Sequence, residues 1–113
     1  GSAYAKIWAS TGTHGTNAEP TGSAVATSSA FDVSTLTTDM ALVEFTFPTP
    51  YTTVNTTKYI LTLTYNGGDV SNNVVMGFDD SSPTHGGNRC YSTDESTWGV
   101  NTNADTIFYI GGS

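Results

Sequence analysis

Glutamine is absent from this chain, cysteine and arginine occur once each, and leucine occurs four times. Only 12% of the 113 residues are charged. The shortage of good helix formers argues against long helices, because helix propensity summed over a window is informative. With Cys90 alone, no internal disulfide can form. Cys90 reads instead as a small, half-buried strand side chain. The cations are Lys6, Lys58 and Arg89, and the net charge is −7. Phosphate contacts need Lys and Arg, so nucleic acid and anionic membrane surfaces are poor partners. No apolar run approaches the ~20 residues of a membrane span, which predicts no membrane insertion. No phosphate-cradling glycine pattern occurs either, and the glycines read as turn residues.

What is present is hydroxyl, amide and aromatic: 21 Thr, 12 Ser, 8 Asn, six Tyr, five Phe and two Trp. Disordered chains combine high charge with few aromatics, so this one should fold. Its length predicts one domain, residues 1–113, that hides roughly 65% of its unfolded surface. Gly1-Ser2 reads as a cloning remnant, and the whole as a domain cut from a larger protein.

Alternation with period two marks the strands. Residues 3–9 set Ala5, Ile7 and Ala9 against Lys6 and Trp8. Residues 41–47 set Val43, Phe45 and Phe47 against Leu42, Glu44 and Thr46. Residues 59–65 set Tyr59, Leu61, Leu63 and Tyr65 against Ile60, Thr62 and Thr64. Residues 73–78, 89–92 and 104–110 make three more, and 23–28 a weaker one. Turn chemistry separates them at 11–22, Pro48 to Pro50, Asn66-Gly67-Gly68-Asp69 and 81–87. The expected fold is all-β: an antiparallel β-sandwich, jelly-roll-like, of about eight strands. The expected core holds Val43, Phe45, Phe47, Tyr59, Leu61 and Leu63. For Trp8 the expectation is partial burial or contact with a neighbouring chain.

Chemistry-bearing side chains crowd into residues 78–98. Asp80, His85, Asn88, Arg89, Tyr91 and Trp98 fall around one turn and the strand after it. If the strand starts at Arg89, then Arg89 and Tyr91 share a face. An exposed Tyr or Trp can stack on the C–H face of a sugar, with Asp, Asn, Arg and His binding its hydroxyls. The bland alternative for Trp98 is a core cap with its N–H bonded to a carbonyl. Asp79-Asp80 and Asp94-Glu95 sit in turns, where Asp favours local hydrogen bonding over glycosidase chemistry. Asp79 and Asp80 could begin a Ca²⁺ site, though no EF-hand spacing is present. Zinc would need two ligands beyond His14 and His85, which lie far apart in sequence. No catalytic residue and no obligatory cofactor is expected.

Several segments, in order along nearly the whole chain, carry a family resemblance. They are Ala5-Lys6-Ile7-Trp8-Ala9, Pro20-Thr21-Gly22 leading to Ala26-Thr27-Ser28, and Phe31-Asp32-Val33-Ser34-Thr35-Leu36. Next come Thr57-Lys58-Tyr59-Ile60-Leu61 and Tyr65-Asn66-Gly67-Gly68-Asp69. The last are Ser82-Pro83-Thr84-His85-Gly86-Gly87-Asn88 and Ile107-Phe108-Tyr109. Together they resemble a bacterial and phage β-sandwich module of the choice-of-anchor type, found in large surface, secreted and tail-associated proteins. The resemblance implies a jelly-roll fold similar to carbohydrate-binding modules and a non-catalytic role, without implying a particular ligand.

The sequence therefore points to an extracellular accessory module, secreted, on a cell surface or on a virion. Its expected partner is a glycan or cell-surface polysaccharide, bound for adhesion. The alternative is a structural or trimer-forming fibre or capsid-decoration module, a homo-oligomer through its parent protein.

Overall fold

The computed structural model describes residues 1–69, 71–79, 87–102, 105–106 and 111. The described residues are mostly β, with antiparallel pairing and one short 3₁₀ turn. Strands of three residues or more are β1 (Ser2–Thr11), β2 (Glu19–Thr27), β4 (Tyr59–Tyr65), β6 (Arg89–Tyr91) and β7 (Gly99–Asn101). Two-residue bridges are β3 (Phe31–Asp32), β5 (Phe78–Asp79) and β8 (Asp105–Thr106). No helix among the described residues is long and apolar enough to cross a membrane. The chain divides into two compact units, Gly1–Ser10 with Pro20–Val75, and Thr11–Glu19 with Met76–Ser113.

The first unit is built on β1. Antiparallel β4 pairs with it from Ala3↔Tyr65 to Ala9↔Tyr59. Ala3 also faces Phe31, so β3 must take the other edge of β1. β2 is also hydrogen-bonded to β1. Between β2 and β3 the Ser28 hydroxyl continues the ladder. The Ala5 N–H donates to Ser28 Oγ at 3.0 Å, and the Ser28 N–H donates to the Ala5 carbonyl at 2.8 Å. Ser28 is buried, so these bonds satisfy groups that water cannot reach.

Both faces of β1 are covered. Ala3 and Ala5 are buried on one side and Trp8 on the other. Trp8 is only 5% exposed, so it is a core residue rather than a half-exposed one. Its indole N–H donates to Thr62 Oγ1 at 2.8 Å, as a buried Trp requires. Lys6 lies on the same face, with its ammonium 6.0 Å from the Trp8 ring centroid.

Residues 41–47 depart from expectation in an instructive way. Val43, Phe45 and Phe47 are half-buried and their neighbours exposed, as the alternation predicts. Yet the segment is not a strand. A backbone bond to a neighbour runs from the Ser29 N–H to the Thr46 carbonyl at 2.8 Å. Phe45 instead docks through its ring, 5.5 Å from Phe31 between centroids. Alternation reports which side chains face apolar surroundings, and a docked extended segment satisfies that without a ladder. Leu61, expected in the core, is 37% exposed. Only Phe78 of the expected 73–78 strand is paired, and residues 107–110 lie outside the described set. Conversely, β2 begins at Glu19, inside what reads as loop, and β7 follows Trp98 directly.

Among the described residues the second unit contains two small antiparallel pairs. β5 pairs with β8 through Phe78↔Thr106 and Asp79↔Asp105. β6 pairs with β7 through Arg89↔Asn101, Cys90↔Val100 and Tyr91↔Gly99.

Candidate functional site

The β6–β7 ribbon sorts its side chains by alternation. Arg89, Tyr91, Gly99 and Asn101 share one face, and Cys90 and Val100 the other. Tyr91 is 54% exposed although its ring sits on protein. A Cβ on Gly99 would fall 2.5–2.7 Å from the Tyr91 ring and hydroxyl atoms. The hydroxyl end of the ring therefore packs against the Gly99 backbone, a cross-strand aromatic–glycine pair. The Arg89 guanidinium carbon stands 5.8 Å from the Tyr91 centroid, within cation–π range. The outcome is an aromatic surface, half-open to solvent and flanked by a cation.

The connection between these strands is tied internally. Asp94 accepts hydrogen bonds from the Thr97 N–H at 2.8 Å, the Ser96 N–H at 2.9 Å and the Ser92 hydroxyl at 2.9 Å. These bonds, the Thr97 one first, hold the Asp94 carboxyl below the usual carboxylate range. Ser92 Oγ in turn accepts from the Glu95 N–H at 2.9 Å, and Glu95 takes a left-handed φ of 56°. Asp94 is thus occupied with the turn it sits in, as Asp in turns commonly is.

Asn88 precedes β6. Its amide oxygen accepts from the Ala18 N–H at 2.9 Å, and its Nδ2 donates to the Ala18 carbonyl at 2.8 Å. The side chain imitates a strand partner and fixes the 11–19 segment to the start of β6. Ala18 is 3% exposed, so its backbone groups need that partner. The segment itself folds back through Thr13, whose carbonyl accepts from the N–H groups of Thr16 and Asn17, each at 3.0 Å. Gly12 enters this turn at φ +82°, where a Cβ would lie 2.5 Å from the Asn17 carbonyl oxygen. Only glycine fits there.

His14, at the tip of that segment, lies against Gly87, where a Cβ would approach its Cε1 to 3.1 Å. Its nearness to β6 is a long-range consequence of the Asn88–Ala18 bridge, and no local sequence signal announces it. Cys90, on the opposite face of the ribbon, is half-buried. Burial first, then the Glu19 carboxylate, pushes its thiol pKa up, partly offset by Arg89. A thiol so shifted is a poor nucleophile at neutral pH.

Of the six residues singled out by sequence, the ribbon carries Arg89 and Tyr91 on one face. Trp98 is half-buried immediately before β7, and Asn88 is engaged by Ala18. Asp80 and His85 lie outside the described residues. Among the described residues no three His, Cys, Asp or Glu side chains converge as a metal cluster would. A comparison with protein-family models, curated proteins and solved structures finds no match to this chain.

Proposed function

We propose that this chain is a non-catalytic carbohydrate-binding module of an extracellular or phage tail protein, built as a jelly-roll-like sandwich. The observation that carries the reading is the Tyr91 ring, 54% exposed on the ribbon, packed on Gly99 and with the Arg89 guanidinium over it. Aromatic rings held in this way suit stacking on the apolar face of a sugar. Arginine and amide groups nearby suit its hydroxyls. Arg89 and Tyr91 would make first contact, with Asn101 at the far end of the same face and Trp98 at the rim. The −7 net charge favours uncharged glycans over acidic ones.

A glycan-array screen of the intact chain tests the reading. Binding to one class of neutral glycan, weakened about tenfold by Tyr91→Ala without loss of fold, is the expected result. An array without signal, or a Tyr91→Ala variant that binds equally well, would remove the platform from consideration.

A second reading, a structural or trimer-forming module, is favoured by a different observation. In the first unit the large apolar side chains Met40, Leu42, Val54 and Val75 are each 62–79% exposed. Exposed apolar side chains are the kind of surface that subunit association covers. Sedimentation of the isolated chain separates the two: a trimer at micromolar concentration supports this reading, and a monomer that binds glycans supports the first.

A further inference from the structure

A depression of about 370 Å³ opens in the first unit, between the 3₁₀ turn that follows β3 (Val33–Thr35) and the end of β4. Its volume lies in the range of small-molecule sites. Tyr65, the last residue of β4, is its aromatic wall, and Val33 and Leu36 add apolar surface. Thr37, Thr38 and Asn73 bring hydroxyl and amide groups. None of the lining residues is charged.

The walls are fixed before any ligand arrives. A Cβ on Gly67 would fall 2.9 Å from the Tyr65 hydroxyl oxygen, and one on Gly68 would fall 2.9 Å from Cε1. The ring is therefore gripped along both edges by backbone that only glycine allows so close. Asp69 ties down the stretch that leads into the Asn72–Val74 part of the lining. Its carboxylate accepts from the N–H groups of Ser71 and Asn72, both at 2.8 Å, and from the Asn72 amide at 3.2 Å. Those bonds hold the Asp69 carboxyl below its usual range, so it is ionised next to the depression at neutral pH. Thr37 Oγ1 accepts from the Asp39 N–H at 3.2 Å and keeps its own O–H to donate.

An aromatic wall among hydroxyls and amides, with no charge in the lining and a carboxylate close by in sequence, selects a neutral, hydroxyl-rich ring over an anion. We propose that this depression is a second binding site, for an uncharged pyranose ring. Tyr65 stacks against the C–H face of the sugar, and Thr37, Thr38 and Asn73 hydrogen-bond its hydroxyls. Preorganised walls reduce the ordering cost of binding a small ligand. The site is separate from the Tyr91 platform, and neither depends on the other.

Backbone amide shifts of the isotope-labelled full chain test it. The probes are the methyl pyranosides of glucose, galactose, mannose and N-acetylglucosamine, with glucuronate as the charged control. At least one neutral glycoside should shift the amides of residues 36–38 and 72–74, with a Kd of about 1–10 mM. Glucuronate should bind at least about fivefold more weakly. Asn73→Ala, at an exposed position, should weaken the neutral ligand about fivefold or more, and Tyr65→Phe, which keeps the ring, should not. Tyr91→Ala should leave these shifts unchanged, so this site and the platform fail independently. The proposal is overturned if no neutral glycoside shifts these amides. It is equally overturned if Asn73→Ala has no effect, or if glucuronate binds as well as the neutral sugars.

Discussion

Tyr91 and Gly99 face each other across the β6–β7 ribbon, and the ring of one occupies the space where the other lacks a side chain. Gly99→Ala would put a methyl 2.5 Å from the ring, closer than any stable contact. The ring must then leave its seat, because the clash is with a planar group tethered to a strand. We expect Gly99→Ala to weaken glycan binding about as much as Tyr91→Ala, roughly tenfold, while the melting temperature changes little. Arg89→Lys should also lose affinity, since an ammonium does not reproduce the planar guanidinium stack. Retained affinity in Gly99→Ala would show that the seated ring is not what the ligand reads.

Asn88 replaces a strand partner for Ala18, so its loss should be structural. Asn88→Ala leaves a buried N–H and a buried carbonyl without partners. The expected cost is about 2 kcal/mol, within the range for a buried group left unsatisfied. Urea unfolding measures it. Asn88→Asp is the sharper variant: it keeps the acceptor for the Ala18 N–H but turns a carboxylate towards the carbonyl. It should not restore stability. If Asn88→Ala proves neutral, water has replaced the bridge.

The strands β1, β4 and β6 are legible in the alternation of their side chains, and in β1 and β4 the aromatic and β-branched residues also favour strands. Residues 41–47 show the limit. Their alternation foretells the burial of Val43, Phe45 and Phe47, but ladder pairing depends on what lies alongside, which one segment cannot encode. The buried positions of β1 leave a faint signal for a related reason. Ala3 and Ala5 are too small to stand out in sequence, and they are buried because β1 is flanked on both edges. For the site, the shared face of Arg89 and Tyr91 follows from period two alone. Gly99 under the ring and His14 beside Gly87 required tertiary register and a side-chain bridge. Neither leaves a local trace.

Phe45 measures how much a docked segment without a ladder contributes. A fully buried Phe replaced by Ala costs 3–5 kcal/mol. Phe45 is half-buried, with its ring against Phe31, so Phe45→Ala should cost less, about 2 kcal/mol. A cost near 5 kcal/mol would mean that residues 41–47 are held more firmly than a docked segment outside the ladder should be.

Trp8 is the largest buried side chain in the first unit, and its two contributions can be separated. Trp8→Phe removes the indole N–H but keeps much of the apolar bulk. Thr62 Oγ1 then loses its donor, at a cost of about 1 kcal/mol for the hydrogen bond plus the smaller ring. Trp8→Ala should cost about 4 kcal/mol, since it also opens a cavity. The double variant Trp8→Phe with Thr62→Val should recover part of the first loss, because no unpaired hydroxyl remains. Additive losses would show that the Trp8–Thr62 bond contributes nothing of its own.

Acid should loosen the turns before the sheets. Asp32, Asp69 and Asp94 each accept hydrogen bonds from nearby N–H or hydroxyl groups, and each carboxyl is held below its usual value by those bonds. For Asp32 the Ser34 hydroxyl is the main cause, for Asp69 the Ser71 N–H, and for Asp94 the Thr97 N–H. A carboxyl whose pKa is lower folded than unfolded binds fewer protons when folded. Its stabilisation is complete above the unfolded value of about 3.9 and is lost as the pH falls through the folded value. All three are solvent-exposed, so each contribution is small. The first sign should therefore be local: lower amide protection, relative to the intrinsic exchange rate at each pH, at Ser34, Ser71, Asn72, Ser96 and Thr97 below about pH 4, while β1 and β4 stay protected. Asp94→Asn should remove the acid step at Ser96 and Thr97 alone. If all five amides and the sheet lose protection together, the three turns are not separate local structures, and the acid transition is global.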